Sequence, residues 1–185
     1  MPSLYEQDPT PAPTQGSIFR FCPIFWIDAP LTLVRDIDYN RMTARIWQSP
    51  GLPPDAFQRG ALDNQENVLA TAKVRYLVVL SPSHEATMAG IRSLVVAPIY
   101  KADPASISRA DLLNRIKRGE FPDRLFLLAD PAFAEVGDAI IDFRNVQPLL
   151  KELLPASAKT PFRFNNIWRD AIVARYRDYF VTRPQ

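Results

Sequence analysis

A chain of 185 residues supports one core of ordinary size and little beyond it. Apolar residues at 47% and charged residues at 23% exclude a disordered chain, and a net charge of +2 excludes a uniformly basic surface, so any nucleic-acid contact must come from local clusters of arginine. The single cysteine, Cys22, excludes an intramolecular disulfide, a multi-thiolate metal site and a redox pair, and predicts a reducing, cytoplasmic setting.

In chain order, residues 1–16 read as a flexible, solvated arm, because Pro9, Pro11 and Pro13 alternate with small or polar residues and no secretory pattern is present. A single domain is expected over residues 17–185. Ile18–Ile27 is dense in Phe, Ile and Trp and predicts a first strand, with Pro23 marking an edge or bulge. Met42–Trp47 predicts a second. Gln48–Asn67, interrupted by Pro50, Gly51, Pro53, Pro54 and Gly60, predicts a long loop suited to a lid or a recognition surface.

The short apolar runs Lys73–Ser81 and Arg92–Ile99 predict an antiparallel pair joined by a turn at Pro82–Gly90. A helix is expected over Ser108–Arg118, capped by Ser108, with Leu112, Leu113 and Ile116 on one face and Gly119 and Pro122 as stops. Arg124–Leu128 and Ala139–Asp142 predict two more strands. Pro148 suits a first helical position, which predicts a helix over Leu149–Leu154. A last helix is expected from a cap near Asn166 to Phe180, with Trp168, Ile172, Tyr176 and Phe180 recurring every fourth residue as a stripe for the core. The expected fold is therefore mainly β with α: a barrel or curved antiparallel sheet of five or six strands, with three helices. No apolar run approaches the ~20 residues of a membrane span, so no membrane contact is expected.

Most catalytic templates lack parts, for the chain has one histidine and neither a glycine-rich phosphate loop nor an HExxH motif. His84, in the polar stretch Ser81–Glu85, reads as a solvated loop residue, and Cys22 as a small buried hydrophobe. Arg35, Arg41 and Arg45, interleaved with Tyr39 and Trp47, form a pattern that can grip phosphates and stack on single-stranded bases. A solvated strand face with core aromatics between is the competing reading of the same residues. Arg75 enters the apolar strand Tyr76–Leu80, where a guanidinium can point into a groove; a charge at the strand's end is the alternative.

The run Val74-Arg75-Tyr76-Leu77-Val78-Val79-Leu80-Ser81, then Leu94-Val95-Val96-Ala97-Pro98-Ile99, then Ile140-Ile141-Asp142 resembles, in order and spacing, the MazF/PemK family of toxin endoribonucleases. The resemblance implies an SH3-like barrel, single-stranded RNA as substrate, and a mechanism without metal or cofactor in which the ribose 2′-hydroxyl attacks the adjacent phosphate. It also implies a homodimer and a neutralising antitoxin or other protein partner. Arg75 falls at the family's catalytic arginine. Tyr100, followed by Lys101, stands where the family has Thr or Ser, and Tyr76 replaces the family's proline. The alternative is a non-catalytic barrel of the same kind that binds protein or nucleic acid.

Overall fold

The computed structural model describes residues 3–26, 33–38, 40–41, 43–47, 67–68, 70–102, 110–131, 134–154 and 156–181. In chain order the elements are β1 (Tyr5–Gln7), β2 (Ser17–Trp26), β3 (Leu33–Asp38), β4 (Thr43–Trp47), β5 (Asn67–Val68), β6 (Thr71–Val79), α1 (Ser83–Thr87) and β7 (Ser93–Lys101). There follow α2 (Ala110–Lys117), β8 (Arg124–Leu127), β9 (Ala139–Asp142), β10 (Gln147–Leu150), β11 (Lys159–Phe164) and α3 (Asn166–Val181). The chain forms two compact units, Met1–Pro23 with Val74–Gln185, and Ile24–Lys73.

The larger sheet has eight strands in the order β1-β11-β2-β6-β7-β9-β8, with β10 also on β7, and all its described pairings are antiparallel. It is open: β1 and β8 stand at its two ends. The fold class is thus the expected one, mainly β with α on an antiparallel sheet, although the described sheet is not closed into a barrel, its strands outnumber the five or six read from the sequence, and two of the three expected helices, α2 and α3, fall where they were expected. The strand β7 organises the sheet. Tyr76 to Val79 of β6 pair with Ile99 to Val96. Beyond β6, β9 takes the stretch Ile99–Lys101 and β10 the stretch Ser93–Val96. In the smaller unit β3 pairs with both β4 and β5.

At the centre of the larger sheet both faces are buried, which is why β7, β9 and the later half of β6 read as continuous apolar runs rather than alternating ones. On one face Val78, Ala97 and Ile141 pack with Phe143 and with Ile172 and Tyr179 of α3. On the other, Ile140 packs with Leu113 and Ile116 of α2, beside Phe121 and Phe126. α2 ends as its sequence predicts: Gly119, at φ +73°, lets its own N–H reach Ile116 O (2.9 Å) and the Glu120 N–H reach Arg115 O (3.1 Å). Its expected cap, Ser108, lies outside the described residues. Trp168, Ile172 and Tyr176 join the core as the stripe predicts, but Phe180 is exposed and Tyr179 is buried in its place.

Three expectations are corrected. Residues 3–16 do not stay out of the core: Leu4 and Tyr5 are buried in it, and β1 pairs with β11 from Tyr5↔Phe164 to Gln7↔Phe162. The segment is held further by Asp8, whose carboxylate receives Lys159 Nζ (2.8 Å), Ser17 Oγ (2.7 Å) and Thr10 Oγ1 (2.7 Å). The stretch 149–154 is no α-helix but β10 followed by a 3-10 turn at Lys151–Leu153. Leu149 is buried there while its neighbours face outward, and Pro148 is tolerated because β10 pairs along one edge only. The turn between β6 and β7 contains the short helix α1, on which His84 is exposed. Residues 48–66 of the expected loop lie outside the described residues.

Candidate active site

The antiparallel register of β6 and β7, with Tyr76 opposite Ile99, brings Arg75 alongside Tyr100 at the same end of the sheet. The Arg75 guanidinium carbon lies 5.6 Å from the Tyr100 ring centroid, within cation–π range. One of its terminal nitrogens donates to the Val74 carbonyl at 2.9 Å. Its Nε is buried with no hydrogen-bond partner. A buried donor without an acceptor costs about 1–3 kcal/mol.

Tyr100 is half-buried. Burial, and after it the negative charge of Asp142, raise its hydroxyl above the ordinary tyrosine range, against the opposing pull of Arg75, Asn145 and Arg144. The hydroxyl therefore stays protonated at neutral pH, which makes it a donor and a proton source rather than a base. Asn145 Nδ2 donates to it at 3.4 Å.

Asn145 is placed by a 3-10 turn, Phe143–Asn145, capped by Asp142, whose Oδ1 accepts the peptide N–H of Arg144 at 3.0 Å. The same carboxylate, buried at the end of β9, receives Arg144 Nε (2.9 Å) and Nη2 (2.6 Å) as well as Asn145 Nδ2 (3.2 Å). Arg144 also lies 3.3 Å from Asp123, and its pKa is raised, first by the Asp142 hydrogen bonds. Asp142, Arg144 and Asn145 thus form the supporting wall of the Arg75–Tyr100 pair. The signal for them was an Asp followed two and three residues later by hydrogen-bonding side chains, a pattern that closes local turns.

The predicted residues separate into groups. Arg75 and Tyr100 come together. Lys101 is exposed at the end of β7, and as the residue after Tyr100 on a strand it points to the opposite face. Arg35, Arg41 and Arg45 belong to the smaller unit, in the β3–β4 hairpin. There Arg35 and Arg45 are register partners, and Arg41 is exposed in the turn between the strands. Cys22 is buried, and burial pushes its thiol up to about 11, so it is a poor nucleophile as expected.

Neither a protein-family model nor a curated protein sequence matches the chain. Among the described residues no helix is long and apolar enough to cross a membrane, and no three His, Cys, Asp or Glu side chains cluster as a metal site would require.

Proposed function

We propose that the protein is a divergent endoribonuclease of the MazF/PemK type, cleaving single-stranded RNA without metal at the Arg75–Tyr100 pair. The observation that carries this reading is the Arg75 guanidinium, without a carboxylate partner among the described residues, 5.6 Å from the ring of a tyrosine held in its protonated form. An RNA phosphate beside the guanidinium receives hydrogen bonds from its terminal nitrogens and a positive charge facing the pentacovalent phosphorus. The ribose 2′-oxygen then bonds to phosphorus and releases its proton to water. The bond from phosphorus to the 5′-oxygen breaks, and that oxygen takes the Tyr100 proton, which solvent restores. The products are a 2′,3′-cyclic phosphate and a 5′-hydroxyl. Asn145 keeps the Tyr100 hydroxyl aimed at the leaving oxygen. The rest of the toxin reading, a neutralising antitoxin, a homodimer and a cytoplasmic site of action, stands or falls with this activity.

The test is incubation of the pure protein with a long single-stranded RNA in EDTA, followed by mapping of the product ends. Discrete fragments with cyclic-phosphate ends are expected, lost in Arg75→Ala and strongly reduced in Tyr100→Phe. Intact RNA after incubation with folded wild-type protein overturns the catalytic reading. A second reading, a binding module without catalysis, is favoured by one observation. Among the described residues, the hydrogen bonds and ring contacts of the Arg75–Tyr100 pair include no carboxylate or imidazole that could take the 2′-hydroxyl proton. RNA retained by wild type, uncleaved, and released by Arg75→Ala would select it.

A further inference from the structure

Among the described strands the sheet ends at β8, and a cavity of about 380 Å³ runs along that end. Its walls come from the C-terminal end of α2 (Ile116, Lys117), from β8 and from α3 (Trp168, Arg175). α2 packs on one face of the sheet and α3 on the other, so a cavity touching both helices lies beyond the terminal strand. Three consecutive β8 residues, Arg124, Leu125 and Phe126, all line it, which an alternating strand allows only at its edge. Phe143 N–H donates to Asp123 O at 2.9 Å. The period of the ladder then turns the backbone of Leu125 and Leu127 toward β9, and that of Arg124 and Phe126 outward. The outward N–H and C=O of Phe126 are the groups a further strand would pair with.

The walls also specify what fits. Leu125 and Trp168 belong to the core on the α3 side, Ile116 and Phe126 to the core on the α2 side, so apolar side chains are welcome alternately on both sides. Lys117, Arg124 and Arg175 add three positive charges. Lys117 has Asp138 at 3.8 Å, whereas Arg124 lies over the Phe121 ring at 5.4 Å and pairs with no carboxylate among the described residues. Arg175 spends one terminal nitrogen on the carbonyls of Gly119 (3.0 Å) and Phe121 (2.8 Å), bracing α3 against the rim, and its Nε is buried without a partner.

We propose that this edge is the docking site for an extended, acidic segment of a partner protein, which adds to β8 as a further strand. Its backbone pairs with Phe126, its apolar side chains enter the two walls alternately, and its carboxylates meet Lys117 and Arg124. A second copy of this chain is a poor occupant, since antiparallel pairing of two β8 edges sets their cations against each other. RNA could meet the charges but would leave the strand edge unpaired.

The experiment uses the full chain, isotope-labelled for amide NMR, and a short blocked peptide alternating glutamate with valine and leucine. Saturable shifts centred on the Phe126 and Leu128 amides are expected, together with a changed emission of Trp168 in a Trp26→Phe/Trp47→Phe background. Lys117→Glu with Arg124→Glu, at an unchanged melting temperature, should weaken the peptide about tenfold or more. A peptide methylated on alternate backbone nitrogens should not bind. No saturable shift at millimolar peptide, undiminished binding by the methylated peptide, or stronger shifts of the same amides by oligouridylate overturns the proposal. So does concentration-dependent dimerisation that moves those amides without peptide. Cleavage of RNA by the wild-type protein is measured separately, and neither result bears on the other.

Discussion

Asp8 shows how a single carboxylate can fasten a segment whose composition argues for a loose one. Burial by itself would raise its pKa, but hydrogen bonds from Lys159, Ser17 and Thr10 and the charge of Lys159 bring it below the ordinary carboxylate value. A depressed folded-state pKa contributes stability that is present above the unfolded value and is lost as pH falls through the folded one. The difference in urea midpoint between wild type and Asp8→Asn should therefore be full at neutral pH and shrink at pH values below the usual carboxylate range. The side chains of Asp8 and Lys159 are 0% and 5% exposed, so Lys159→Ala leaves a buried charge unpaired and should cost about 3–5 kcal/mol. At the candidate site, Arg75→Ala should leave the melting temperature nearly unchanged, because its removal breaks one hydrogen bond to a neighbouring carbonyl and relieves a buried unpaired donor. A large drop in melting temperature would assign Arg75 a structural role instead. Arg75 was legible as a charge entering an apolar strand, and Tyr100 only through the family resemblance; the short turn between β6 and β7 is what brings the two together. The contact of Asn145 with Tyr100 was not legible, since nothing local tells that a turn 45 residues after Tyr100 returns to its hydroxyl. Lys101 was placed with them by adjacency, which the pleat of a strand reverses.

Among the elements, those with a strong apolar period were read correctly in place and type: β6, β7, β8, β9, α2 and α3. α3 begins one residue later than its cap, and the cap is Asn165, whose Oδ1 accepts the Trp168 N–H at 3.0 Å; Asn166 is already the first helical residue. Asn165→Ala should cost about 1 kcal/mol and fray the first turn of α3, measurable as a lower urea midpoint. Asn165→Asp should restore most of it. β10 was misread because Pro148 followed by a leucine-rich run satisfies helix rules, whereas the deciding fact is an available edge of β7 opposite Leu149. β1 and β11 escaped notice for related reasons: β1 is only three residues long, β11 contains Pro161, and each is a strand chiefly because its partner exists. Tertiary pairing settles such segments where propensity does not.

At the scale of the whole chain, the sheet order predicts where proteases fail. Residues 3–16 carry the prolines of a loose arm, yet their backbone is tied at Asp8 N to Pro161 O (2.8 Å), Gly16 N to Val79 O (2.9 Å) and Leu4 N to Asp130 Oδ2 (2.6 Å). Limited proteolysis of the folded protein should leave this segment intact, and Asp8→Ala should expose it to early cleavage. Cleavage in the wild type within residues 4–16 before any other site would contradict the pairing of β1 with β11.

That pairing also has a meaning in time. Among the described strands β1 leaves the ribosome first and its ladder partner, β11, last. Until residue 164 has been synthesised, Leu4 and Tyr5 have no strand to lie against, although β6 and β7 can already zip together as near neighbours. Sequence-distant contacts of this kind close late and slowly. A nascent chain halted before Lys159 should therefore hold its central hairpin and leave its first residues open to a chaperone or a protease. Protection of those residues should arrive in one step, when β11 is added.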